Sequence, residues 1–194
     1  MKDKIMMLVF VLVLGTVLTG ILVAVNWYTT PVISRNEQHE IQVNILKALG
    51  IPFGEGEVER VFAGQVQAKE SGGKTYYVAE GGGIAFAYSG SGLWGPINGI
   101  VALNPDLSSL KAVTVIHQEE TPGLGDRMKE QAYLDQFQGK EFSSGLKLMP
   151  PGKSSRANEI DAITGATLTP KAFLQILNKN LTAAVPAIRQ GERQ

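Results

Sequence analysis

The sequence predicts an α+β protein: an N-terminal transmembrane helix followed by an antiparallel sheet domain with helices packed on it. Three observations carry this expectation. Residues 5–25 form an uncharged apolar run, four short segments between residues 74 and 118 repeat their apolar residues with period two, and helical periodicity returns near the C-terminus. Strands in series with helices set apart from them define the α+β class. At 194 residues the chain suits one domain plus an appendage, since domains typically hold about 100–150 residues.

The apolar run, Ile5 to Val25, reads "IMMLVFVLVLGTVLTGILVAV". At about 1.5 Å per residue its length matches the roughly 30 Å of a bilayer core. A cleaved signal peptide has a shorter apolar region, about 7–15 residues, ending at a small-x-small site, which "VAVNWYTT" does not offer. The run therefore reads as an uncleaved anchor. Lys2 and Lys4 precede it and the next basic residue is Arg35, so the positive-inside rule keeps the N-terminus in the cytoplasm. The expected organisation is a cytoplasmic N-terminus and anchor at 1–28, a stalk helix and connection at 29–56, and an extracytoplasmic domain at 57–194. Trp27 and Tyr28 stand where an interfacial aromatic belt would place them.

In the stalk, Thr30 is the expected N-cap and Pro31 the first helical residue; Ile41, Ile45 and Leu49 form one apolar stripe and Gly50 ends the helix. "GIPFGEGEVER" reads as a turn-rich connection. "KTYYVAE", "GIAFAYS", "INGIVALN" and "LKAVTVIHQ" are expected to form an antiparallel meander, with Asn104-Pro105-Asp106 as a turn. "DRMKEQAYLDQFQ" and "PKAFLQILNKNLTAAV" are expected to be helical, the second burying Phe173, Ile176, Leu177, Leu181 and Ala184.

Composition removes several functions. Eighteen basic residues balance eighteen acidic ones and no basic run occurs, so nucleic acid is not an expected partner. Without cysteine, disulfides, zinc-thiolate sites and cysteine-ligated iron–sulfur clusters are excluded, and His39 and His117 have no second histidine at metal-binding spacing. "GSGLWG", Gly90 to Gly95, matches the dinucleotide fingerprint, but Pro96 and a strand pattern follow where a helix must open. "PGKSS" lacks the first glycine of a P-loop. No nucleophile elbow is present, and no histidine is placed to activate Thr164 or Ser154. No catalytic residue and no metal ligand is expected.

Two other stretches remain. In "HQEETPGLGDRM" the glycines at 123 and 125 would let backbone N–H groups near Thr121 and Leu124 approach a ligand. "DAITGATLTP" places Thr164, Thr167 and Thr169 around a helix start. Pro170 suits the first turn, which makes Thr169 the natural N-cap and leaves Thr167 just outside the helix. A phosphate on Thr167 would meet the positive helix end, and Gly165 and Ala166 would leave its hydroxyl accessible. From the residues alone this is only an attractive place for an anion, helix capping is the other reading of the hydroxyls, and an anchored, non-redox module holding an anion reversibly is a rival function.

The stretch "ITGATLTP", with "GLWG", "ETPGLGD" and the N-terminal anchor, resembles the FMN-binding domain family shared by the RnfG and NqrC subunits of membrane oxidoreductases. The resemblance implies FMN joined through its phosphate to Thr167, with Leu93, Trp94, Thr121, Leu124, Ile163, Thr164, Gly165 and Ala166 around the flavin. It further implies an electron-transfer subunit of an ion-translocating complex in the cytoplasmic (inner) membrane, not a complete enzyme alone. Its partners would be the other subunits and a flavin transferase. "HQEETPGLGD" and the compact length are more similar to RnfG, "GLWG" to NqrC; an Rnf-type complex acting between ferredoxin and NAD is the expected setting, and a Na⁺-translocating NADH:quinone reductase the alternative.

Overall fold

The computed structural model describes residues 2–193. The chain divides into two compact units between His39 and Glu40. The first contains most of helix α1, which runs from Lys2 to Leu49 and is long and apolar enough to cross a membrane. The expected restart at Thr30 and Pro31 does not occur. Pro31 lies inside the helix, where it removes one backbone donor, and the neighbouring hydroxyls turn back along the helix instead of capping a new one: Thr30 Oγ1 donates to the Asn26 carbonyl at 2.6 Å and Thr29 Oγ1 to the Val25 carbonyl at 2.9 Å.

In the second unit the last turns of α1 are buried through Ile45, Leu46, Ala48 and Leu49. The helix stops at Gly50, which adopts φ +68°; the Ile51 N–H reaches the Leu46 carbonyl and the Gly50 N–H the Lys47 carbonyl, the paired bonds of a Schellman stop. "EVER" is not part of a connection but enters helix α2, Val58–Gln65. A five-stranded antiparallel meander follows: β1 Val66–Ser71, β2 Lys74–Ala79, β3 Ile84–Ser91, β4 Pro96–Leu103 and β5 Leu110–His117, in that spatial order. The fold is therefore the expected α+β arrangement.

Strand β4 shows why the sheet is central. Its side chains alternate between two cores: Ile97, Val101 and Leu103 join one cluster, Ile100 and Ala102 the other. The second cluster holds the end of α1, and the first holds the long C-terminal helix, Leu168–Gly191, labelled α4 because a short α3 precedes it at Gln131–Leu134. Burial on both faces explains the unbroken apolar run "GIVAL". Helix α4 buries Phe173, Ile176, Leu177, Leu181 and Ala184. It lies so close to β3 that a Cβ on Gly90 would come 2.6 Å from Ile176 Cγ1, which gives the first glycine of "GSGLWG" a packing role.

The stretch "DRMKEQAYLDQFQ" does not form one helix. It breaks into a 3₁₀ turn at Gly125–Lys129, the short α3 and a second 3₁₀ turn at Asp135–Phe137, because Glu130 has extended backbone with ψ 136°. Beyond it, β6 Lys147–Met149 and β7 Glu159–Asp161 form a small parallel pair. The "PGKSS" loop spends its amides on two carboxylates: Lys153 and Ser154 N–H donate to Asp161, Ser155 and Arg156 N–H to Glu159. The Ser155 amide, aided by Arg156, holds Glu159 below the usual carboxylate range despite its burial. For Asp161 burial pushes upward, but the donors from Ser154 and Lys153 outweigh it and the net shift is also downward. Depressed carboxyl pKa values contribute stability above the unfolded values, roughly 3.9–4.3. The loop is thus expected to stay ordered at neutral pH and to lose protection as pH falls below about 4, as amide exchange at Ser154 and Ser155 across that range will measure.

Candidate functional site

Three segments from distant parts of the sequence meet at one open groove of about 210 Å³: the β3–β4 turn, the loop after β5 and the first turn of α4. Its lining includes Leu93 and Trp94, Thr121 and Leu124, and Gly165 through Thr169. The β3–β4 turn is closed by the Gly92 N–H donating to the Gly95 carbonyl at 2.8 Å. It leaves Trp94 70 % exposed, an unusual state for an apolar residue of that size. Leu93, Leu124 and Leu168 are also exposed, so the groove is rimmed by apolar side chains that no part of the domain covers.

The loop after β5 turns at Gly123, whose φ is +73°. Its Leu124 N–H donates to the Thr121 carbonyl at 3.2 Å, a bond within the loop. Gly165, at φ +83°, makes the reverse turn in which the Ala166 N–H bonds the Ile163 carbonyl at 3.1 Å. This turn delivers Thr167 to the start of α4.

The threonines are assigned differently from the sequence expectation. Thr167 is itself the N-cap residue of α4, and its side chain makes no capping hydrogen bond. Thr169 lies inside the first turn, is 4 % exposed, and donates its Oγ1–H to Glu120 Oε2 at 2.7 Å. That tertiary bond to a buried carboxylate is worth more than a local cap, and it draws Thr169 into the helix. Thr169→Val is accordingly expected to destabilise the protein by about 1.5–3 kcal/mol through loss of a bond to a charged group, read from the urea midpoint, and not through lost capping.

Of the residues singled out from sequence, Leu93, Trp94, Thr121, Leu124, Gly165, Ala166 and Thr167 line the groove. Thr164 is exposed beside it, and Ile163 is buried in the main core at 7 % exposure. Gly125, singled out in the loop after β5, lines the groove too, whereas sequence reasoning missed Glu120, Leu168 and Thr169 as parts of the site. Only the spacing of apolar Leu168 after Thr167 offered a local signal.

The groove meets the demands of a flavin phosphate. A site enclosing a small ligand usually measures about 300–1,000 Å³; this one is smaller and open, so a flat ring system would rest on the apolar rim with one side uncovered. At one end stand an exposed hydroxyl and a helix N-terminus, where backbone N–H groups favour an anion. Apolar rim and anion end lie in one groove, and the residues present fit FMN.

Residues 92–182 match the family model of the FMN-binding domain. The matched stretch is 91 of the chain's 194 residues, and the chain is similar to RnfG and NqrC proteins. The RnfG protein of the proton-translocating ferredoxin:NAD(+) oxidoreductase complex of Clostridium ljungdahlii is 28 % identical over 159 residues, 80 % of this chain and 78 % of that protein. The NqrC protein of the Na(+)-translocating NADH-quinone reductase of Neisseria meningitidis is 34 % identical over 95 residues, 46 % of this chain; the match spans 37 % of that protein's length. Among solved structures, NqrC from Parabacteroides distasonis superposes with a TM-score of 0.68 at 26 % identity, covering 78 % of this chain and 92 % of that one. NqrC from Shewanella oneidensis gives the same score at 21 % identity over 76 % and 93 %, a likeness of fold.

Proposed function

We propose that this chain is a membrane-anchored electron-transfer subunit whose FMN is joined through its phosphate to Thr167, within an Rnf-type ion-translocating oxidoreductase complex. The observation that carries the attachment is the state of Thr167: an exposed hydroxyl on the groove, at a helix N-terminus, released from capping. When bound, FMN supplies the reversible electron uptake that the chain's own side chains do not. Leu93, Trp94, Leu124 and Leu168 provide the apolar rim that orients a ring and displaces water from one of its faces. The amides opening α4 hold the phosphate, and Thr167 keeps the cofactor from dissociating. Thr164, Gly165 and Ala166 form the accessible approach for a flavin transferase, the partner that such attachment requires.

The Rnf setting is supported by the C. ljungdahlii RnfG protein, which aligns along four-fifths of this chain. The quinone-reductase setting is favoured by the fit to the solved P. distasonis NqrC. Proteins that co-purify with the tagged chain decide between them: partners of ferredoxin:NAD⁺ chemistry in the first case, of quinone reduction in the second. Attachment is tested by denaturing electrophoresis of protein made together with a flavin transferase. A fluorescent band at the chain's mass is expected; flavin that runs off with the dye front would leave only a reversible, non-covalent site.

Orientation follows from charge. Lys2 and Lys4 flank the start of the apolar run, with no basic residue until Arg35, so the N-terminus is cytoplasmic and the domain from residue 57 onward lies outside, on the periplasmic side in a two-membrane cell. Protease added to spheroplasts is expected to digest the domain. Cleavage confined to inside-out vesicles would reverse the orientation.

A further inference from the structure

Glu120 is a carboxylate only 4 % exposed, set where the three segments of the groove meet. Its Oε1 accepts the Leu93 N–H at 2.7 Å and the Trp94 N–H at 3.2 Å; its Oε2 accepts the Thr169 hydroxyl at 2.7 Å. Its own N–H donates to Gln118 Oε1 at 2.5 Å, which fixes the backbone beneath it. Two glycines make the arrangement possible. A Cβ on Gly92 would strike Oε1, and one on Gly125 would lie 2.5 Å from Thr169 Oγ1 and 3.1 Å from Glu120 Oε2. Burying a carboxylate costs free energy unless its oxygens are bonded; here both are, and every bond runs to a segment that borders the groove.

We propose that Glu120 is a positioning residue that holds the Leu93–Trp94 turn against the first turn of α4, shaping the groove beside Thr167 before a flavin enters and laying one negative charge behind it. The turn has two exposed apolar side chains and would gain by folding them inward; the bonds from Glu120 oppose that collapse. The same carboxylate, through Thr169, fixes the helix turn that begins at the attachment threonine. The ligand's identity rests on the FMN reading above, whereas the clamp belongs to the flavin-free chain.

The test uses the full chain in detergent. Without flavin, Glu120→Ala is expected to speed amide exchange at Leu93 and Trp94 by about tenfold or more, the order set by losing a hydrogen bond to a charged acceptor, with Ile100 and Val101 in the sheet unchanged. Glu120→Gln keeps an oxygen for the two amides and can donate to the Thr169 hydroxyl, so exchange returns close to wild type. With flavin attached, Glu120→Gln removes the charge and raises the midpoint potential, because reduced flavin carries more negative charge. A rise of about 30 mV is a tenfold change in the two-electron equilibrium. Wild-type exchange at Leu93 and Trp94 in E120A, or an unmoved potential in E120Q, would overturn the proposal. Should E120A not fold, Thr169→Val removes one arm of the clamp and carries the same exchange test. If the wild-type chain takes up no flavin, the FMN reading fails, and the exchange rates still decide the clamp.

Discussion

Thr167→Ala is expected to fold as the wild type does and to carry no FMN after production with a flavin transferase. An N-cap threonine replaced by alanine ordinarily costs about 0.5–2 kcal/mol. Here the hydroxyl makes no capping bond, so the loss should sit at or below the lower end of that range. Neither of the other two threonines in the same stretch stands ready to replace it. Thr169 is buried and bonded to Glu120, and Thr164, although exposed, does not line the groove. The effect on attachment is therefore all or none, while the thermal midpoint moves by a few degrees at most. Thr164→Ala, by contrast, should retain a substantial fraction of the flavin. Intact mass and far-ultraviolet circular dichroism on the two variants together separate a lost acceptor from a lost fold.

Phe173→Ala has the largest expected effect on stability. Phe173 is fully buried in α4 and sits between two aromatic partners, Phe137 at a ring-centroid distance of 5.7 Å and Tyr88 at 5.8 Å. Tyr133 extends the row through Phe137 at 5.7 Å. One ring thus joins the sheet, through Tyr88, to the irregular segment that precedes β6. Truncating a buried phenylalanine costs about 3–5 kcal/mol from lost transfer energy and the cavity left behind. That is a large part of the roughly 5–15 kcal/mol holding a typical domain together. The thermal midpoint should fall by roughly 6–20 °C. Because α4 begins at the attachment site, flavin loading should fall as well, and lowering the expression temperature should restore it in part. A midpoint within about 2 °C of wild type would mean that the site repacks, and that the aromatic row does not anchor α4.

The four strands from β2 to β5 were readable because each alternates apolar and polar residues, or carries an unbroken apolar run when buried on both faces. Strand β1 was not. "VQAKES" buries only Val66, since an edge strand has little apolar surface to display in its sequence. The short helices after Gly125 were misread as one because Met128, Tyr133, Leu134 and Phe137 share a core without sharing a helix face; the extended backbone at Glu130 is invisible to periodicity. Pro31 misled in the opposite direction, since a long apolar helix tolerates one missing donor. At the site, the groove-lining loops and Thr167 were legible as motifs, but the chemistry binding them together was not. Glu120 reads as one acid in a polar turn, and its partners lie 26, 27 and 49 positions away. A hydroxyl pulled into a helix by such a contact looks, in sequence, like an ordinary N-cap.

The central claim is that Thr167 carries the flavin, and fragment-ion mass spectrometry of one peptide tests it most directly. Tryptic digestion of the full chain made with a flavin transferase releases Ala157–Lys171, which contains Thr164, Thr167 and Thr169. This peptide is expected to bear FMN, with fragment ions that place the adduct on Thr167. An unmodified peptide, or an adduct on Thr164 or Thr169, would contradict the claim.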